Sequence, residues 1–108
     1  MFARVTEYNI RPDKIQELRT YFNNEVLPLL QQQSGFVDTV VIASEKSVPM
    51  SGVTISFWKT QQDIERYERE TAPRIIQRLM PYLLDPPKAR VYEVEHSTFH
   101  RIATVRAA

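Results

Sequence analysis

Apolar residues recur along this chain with two different periods. Phe2 to Ile10 is rich in Phe, Val, Thr, Tyr and Ile. Its apolar positions fall on both parities, Phe2, Tyr8 and Ile10 on one and Ala3 and Val5 on the other. That predicts a strand buried on both faces for part of its length. Ile15, Leu18, Phe22, Val26, Leu29 and Leu30 follow at helical spacing and predict an amphipathic helix over residues 14–31. Asp13, with Gln16 three residues on, has the form of its N-cap. Pro28 should kink or tighten the last turns. Ser34-Gly35 should end them, since glycine takes the left-handed conformation past a helix at little cost.

Phe36–Ser44 and Val53–Trp58 are β-rich runs. In the second, Val53, Ile55 and Phe57 alternate with Thr54, Ser56 and Trp58. The polar EKSVPMSG stretch between the two runs predicts an antiparallel hairpin with a loose loop. Thr60, with Asp63 at the third helical position, should cap a second helix carrying Ile64, Tyr67, Thr71, Ile75, Leu79 and Leu83. Pro73 cannot sit inside a straight helix, so a break is expected near Thr71–Pro73, with Pro73 opening a second helical piece. Asp85-Pro86-Pro87 is a stop, and Arg90–Phe99 reads as the last strand, with a frayed tail from about residue 101.

The order is β-α-β-β-α-β. It predicts one α+β domain over residues 1–108 in the ferredoxin-like arrangement, a four-stranded antiparallel sheet with two helices on one face. The other sheet face carries too many apolar residues to stay in water. A homodimer packed sheet against sheet, a dimeric α+β barrel, is therefore expected.

Composition narrows the function classes. The 108 residues hold 14 Lys+Arg against 13 Asp+Glu, two His and no Cys. A net charge of +1 lacks the basic footprint of a nucleic-acid binder, so no nucleic-acid partner is expected. No cysteine means no disulfide framework and no thiolate chemistry. The N-terminal stretch is interrupted by Arg4, Glu7 and Arg11, and no apolar run reaches membrane-spanning length. A cytoplasmic protein without a membrane partner is the expectation.

Four segments, taken in order, resemble the antibiotic biosynthesis monooxygenase family of dimeric α+β-barrel proteins. MFARVTEY opens the chain as small members open. EVLPLLQQQSGF resembles the family's helix-ending segment, with Pro28, Gly35 and Phe36 in place. ISFWKTQQDIERY resembles the junction where a strand ends on Trp and a helix follows. DPPKARVYEVEHSTF resembles the closing strand. The resemblance implies a pocket between sheet and helices in each subunit, holding a small hydrophobic or aromatic molecule. It also implies chemistry with no metal and no flavin, in which an electron-rich phenol or quinol loses its proton and reacts with O₂.

Trp58 matches the strand-end Trp of the family's aromatic-polyketide oxygenases. Their Asn four residues earlier is Thr54 here, and their Tyr six residues later is Ile64. Arg74 or Arg78 could match their Arg. Haem-degrading members carry a different Trp early in the second helix and a His about ten residues on. The nearest positions here are Tyr67 and Gln77, and Asn9 stands near the end of its strand, so the resemblance does not extend to haem cleavage.

Taken on their own residues, the candidates have two readings each. Trp58 either closes the sheet–helix corner or stacks on a ligand. Tyr67 is either a core residue on the helical stripe or a hydroxyl that orients a phenol. His96 and His100, four residues apart on an extended segment, lie roughly 13 Å apart at about 3.3 Å per residue, too far to share one metal ion. His96 is either a general base or a surface or interface histidine. Glu7, Asn9, Asp38, Glu93 and Glu95 are strand polar residues expected in solvent or at an edge. Three functions remain open. The first is cofactor-free oxygenation of a small phenol by Trp58, Tyr67, His96 and Arg78, with Arg78 stabilising the anion. The second is non-catalytic binding of a small molecule, and the third is a structural homodimer with a filled interior.

Overall fold

The computed structural model describes residues 1–102. Four strands form one antiparallel sheet: β1 (Phe2–Asn9), β2 (Phe36–Ser44), β3 (Ser51–Trp58) and β4 (Lys88–Glu93), in the order β2-β3-β1-β4. The helices are α1 (Ile15–Tyr21), α2 (Leu27–Gln31), α3 (Gln61–Glu70) and α4 (Ala72–Leu79), and they lie on one side of the sheet. This is the ferredoxin-like α+β fold, and the β-α-β-β-α-β order is present. The expected tail from about residue 101 falls mainly on residues 103–108, outside the described residues.

Local sequence accounts for most element ends. Thr60 accepts the Asp63 backbone N–H at 3.1 Å and donates its hydroxyl hydrogen to Asp63 Oδ2 at 2.7 Å, which caps α3. Thr71 separates α3 from α4, and Pro73 sits in the first turn of α4, where its missing N–H costs nothing. Gly35 follows α2 with φ +81°, a conformation that disfavours any side chain.

Three elements differ from expectation. Asp13 caps no helix: Pro12 opens a short 3₁₀ turn over Pro12–Lys14, and α1 starts after it without a side-chain cap. Pro28 does not tighten the first helix. It lacks an N–H, and its ring crowds the carbonyl one turn earlier. The chain accommodates this with a π-helical segment over Phe22–Val26, in which the Leu27 N–H reaches back to the Phe22 carbonyl. The last strand stops at Glu93 and does not run to Phe99. Its register pairs Glu93 with Phe2, and one further bond joins the Val94 N–H to the Met1 carbonyl at 3.0 Å, so β1 provides no pairing beyond that point.

Register decides what each sheet face carries. Arg4, Thr6 and Tyr8 of β1 lie opposite Ser56, Thr54 and Gly52 of β3. Thr39, Val41 and Ala43 of β2 continue those rows. Residues directly opposite share a face, so the helix-covered face is largely polar at its centre. The open face carries Ala3, Val5, Ile55, Phe57, Val40, Ile42 and Tyr92, with Ile42 53% exposed. The segment after β4 returns over one end of that face. There the His100 ring lies 5.7 Å from the Phe57 ring, centroid to centroid, and its Nε2 is 3.2 Å from Asp38 Oδ2.

The core beneath the helices divides in two. Val26, Leu30, Trp58, Ile64, Tyr67, Ala72 and Ile75 make the larger part, and Ile10, Leu18 and Leu83 the smaller. Among the described residues no helix is long and apolar enough to cross a membrane.

Candidate active site

A cavity of about 220 Å³ lies between the sheet and the helices, bounded by both parts of the core. An apolar cavity of about 150 Å³ holds a benzene molecule, so this one has room for a substituted single ring or a compact pair of fused rings. Phe22, Val26, Ile75 and Leu79 give it an apolar roof, and Arg4, Thr6, Tyr8, Thr54, Ser56 and Tyr67 put polar groups along its sheet side. The π-helical segment contributes to the fit. Its successive residues Phe22 and Asn23 both line the space, as Leu18 and Arg19 of α1 and Ile75 and Ile76 of α4 also do.

The polar side is organised around Arg4, 8% exposed. Its Nε donates to Glu68 Oε2 at 3.0 Å and its Nη1 to Thr6 Oγ1 at 3.0 Å. Its guanidinium carbon stands 5.2 Å from the centre of the Tyr67 ring, a cation–π contact in a desolvated setting. The third nitrogen, Nη2, donates to no described residue. A second pair lies further along β1, where the Tyr8 and Thr54 hydroxyls share a hydrogen bond of 2.8 Å. Gly52 makes this possible, because a Cβ there would meet Tyr8 Cε2 at 2.5 Å. Burial pushes the Tyr8 phenol above its ordinary value, and the bond from Thr54 partly offsets this.

The four residues singled out by sequence fare differently. Tyr67 is 5% exposed, lines the cavity, and its hydroxyl has no hydrogen-bond partner among the described residues. Burial pushes its phenol above the ordinary value, against the opposing pull of the Arg4 charge. Trp58 is 0% exposed and does not line the cavity. It packs behind Tyr67 at 5.0 Å and edge-on to Phe36 at 5.6 Å, and its Nε1 donates to Ser56 Oγ at 2.9 Å. Arg78 is exposed on α4 and does not line this cavity. His96 is exposed, beyond the end of β4 and away from the cavity lining.

Arg4, Tyr8 and Thr54 were not recognised as a cluster from sequence. The available signal was the same-parity run Arg4, Thr6, Tyr8 facing Thr54 and Ser56 across the β1–β3 pair. Among the described residues no carboxylate and no imidazole lines the cavity. Among the described residues no three His, Asp or Glu side chains converge as a metal site would need.

The family model for antibiotic biosynthesis monooxygenases matches residues 1–77, and the chain belongs to that family. No curated protein matches its sequence. Solved structures resemble it closely in shape. A protein of Nitrosomonas europaea superposes with a TM-score of 0.73 at 13% identity, over 89% of this chain and 100% of that chain. SnoaB, a cofactor-independent oxygenase from Streptomyces nogalater, gives 0.68 at 12% identity, over 90% of this chain and 95% of that one. A monooxygenase from the gene ActVA-Orf6 of Streptomyces coelicolor, solved with the ligand nanaomycin D, gives 0.67 at 20% identity, over 89% and 88%. At such identities the likeness establishes the fold.

Proposed function

We propose that this member of the antibiotic biosynthesis monooxygenase family oxygenates a small electron-rich phenol or hydroquinone in the cavity between sheet and helices, with O₂ as oxidant and no cofactor. The observation that carries the reading is the cavity itself. It is roofed by the helices, apolar over most of its lining, and furnished with Arg4 from β1 and Tyr67 from α3. The similarity to SnoaB supports the cofactor-free chemistry.

The overall reaction balances without an outside reductant. Phenol plus O₂ gives para-quinone plus water. A ring carbon that carries hydrogen, para to the oxygen in a phenol and ortho to one in a hydroquinone, bonds to O₂, forming a hydroperoxide. Loss of the hydrogen on that carbon, with cleavage of the O–O bond, releases water and leaves the second carbonyl. The substrate supplies the electrons. The protein's part is to hold the ring, hydrogen-bond its oxygen and keep bulk water out. Tyr67, whose phenol stays protonated at neutral pH, is suited to donate to the substrate oxygen.

The apolar open face supports a homodimer packed sheet against sheet. Val40, Ile42 and Tyr92 are each more than two-fifths exposed on a single chain, on a face that also carries Glu7, Asp38, Lys88 and Arg90, and exposed apolar residues grouped in this way mark an interface. A non-catalytic binding role draws support from one observation, the lack of any carboxylate or imidazole base among the described residues of the lining. Oxygen uptake on addition of hydroquinones and phenols separates the two readings. Turnover supports the oxygenase, and binding without uptake supports the binding protein.

A further inference from the structure

Resting on the reading of the cavity as a ligand site, we infer that ligands enter it between α1 and the C-terminal half of β2, and that the Arg19–Glu45 ion pair is a latch across this entrance. Burial around the lining locates the opening. Tyr67 of α3, Ala72 and Ile75 of α4, and Ile10 and Leu83 beyond the end of β1 are all buried, so the cavity is sealed on those sides. Among the described residues only Arg19, Asn23, Val41 and Ala43 both line the cavity and are exposed. They are not scattered. Arg19 and Asn23 stand four residues apart, on α1 and the π-helical segment that continues it, and so share a helix face. Val41 and Ala43 stand two apart on β2 and share the sheet face that the helices cover. Val41 is nonetheless 45% exposed, so the helical layer leaves this stretch of the edge strand uncovered. The exposed lining of one helix and of one strand therefore borders a single gap.

Arg19 and Glu45 approach that gap from its two sides. Arg19 belongs to α1 and lines the cavity, whereas Glu45 is the first residue after β2 and does not line it. Among the described residues theirs is the one salt bridge that joins a helix to the β2–β3 hairpin. The loop that presents Glu45 is tied down by its own Ser47, whose hydroxyl donates to the Ser44 and Pro49 carbonyls at 3.0 and 2.7 Å. Both partners of the ion pair are about half exposed, and an exposed pair is weak enough to open often. Neither belongs to either part of the core, so the latch opens without unpacking what holds the fold.

The test uses 2-naphthol, a fluorescent pair of fused rings that is uncharged at neutral pH, with rates read by stopped-flow fluorescence. A latch acts on passage and not on the bound state, so it changes association and dissociation together. Glu45→Gln should raise both rates about two- to fivefold, the range an exposed ion pair supplies, and leave Kd within about 1.5-fold. Raising salt from about 0.05 to about 0.5 M should speed both rates in the unaltered protein and not in Glu45→Gln, because exposed pairs are screened. Ala43→Trp, which sets a large ring in the gap, should slow both rates about tenfold or more. The salt measurement on unaltered protein stands even if a variant folds poorly. Unchanged rates in an Ala43→Trp protein that still folds and binds would overturn the entrance. Unchanged rates in Glu45→Gln, or a change in one rate alone with a shifted Kd, would overturn the latch. Failure of 2-naphthol to bind the unaltered protein would overturn the cavity reading, and the entrance with it.

Discussion

Replacing Trp58 by Phe separates packing from ligand contact at the residue that sequence marks most strongly. Trp58 has no exposed surface and no place in the cavity lining. The variant loses the Nε1–Ser56 bond, which is worth about 1 kcal/mol net. It also leaves a void where the indole exceeds a phenyl ring. Truncating a buried Trp to Ala costs about 3–5 kcal/mol, and Phe keeps roughly half of that packing, including part of the aromatic contact with Tyr67 and Phe36, so about 1.5–2.5 kcal/mol is lost here. The total is about 2.5–3.5 kcal/mol, or a fall in melting temperature of about 10–14 °C at about 4 °C per kcal/mol. Affinity for 4-nitrophenol should change by less than about threefold, since that would correspond to under 1 kcal/mol. Urea unfolding and absorbance titration on the same preparation measure both quantities. Unchanged stability combined with a tenfold or larger loss of affinity, a difference of about 1.4 kcal/mol, would refute the packing assignment and put Trp58 against the ligand.

Other expectations follow from the same geometry. Tyr67→Phe should alter stability by no more than about 0.5 kcal/mol, because the hydroxyl has no described protein partner, yet should lower the turnover rate about 10²–10³-fold if that hydroxyl holds the reacting oxygen. Gly35→Ala should cost about 2–4 kcal/mol in urea unfolding, from the positive φ together with a Cβ that would stand 2.0 Å from Asp63 Oδ2 and displace the α3 cap. Tyr8 and Tyr67 are both held above the ordinary phenol value of 10.0, so the stability linked to their protonated forms is complete below that pH and is lost as pH rises through the folded-state values. The urea midpoint should accordingly fall as pH rises above about 10, and fall less in the doubly substituted Tyr8→Phe, Tyr67→Phe protein. Ile42→Arg on the open face should shift the protein from dimer to monomer in sedimentation velocity with its circular dichroism unchanged; a dimer that persists would count against the sheet-to-sheet arrangement.

The backbone was readable where one residue type has one physical use. Thr60 with Asp63, Gly35 at positive φ, and Pro73 after Thr71 each specify a local geometry that no tertiary contact overrides. Pro28 was readable as a disturbance, but its outcome depended on what the helix packs against. The π-helical segment over Phe22–Val26 is not required by anything in the local spacing. The site was less readable because it is assembled across strands. Arg4 is an isolated charge on a strand, which read by itself points to solvent. Only the pairing of Arg4 with Ser56, and the arrival of Glu68 and Tyr67 from α3, make it a buried cation. Arg78 was carried over from the family resemblance and His96 was read on a strand extended to Phe99; the first is exposed on α4, and β4 ends at Glu93 before the second.

Oxygen consumption by the purified protein, given hydroquinones and one- or two-ring phenols without added metal or flavin, bears most directly on the central claim. The account predicts uptake above the buffer rate, stoichiometric formation of quinone, and loss of most of that uptake in Tyr67→Phe and Arg4→Met proteins that still fold. Phenols that bind in the cavity and consume no oxygen would contradict it and leave a binding protein in its place.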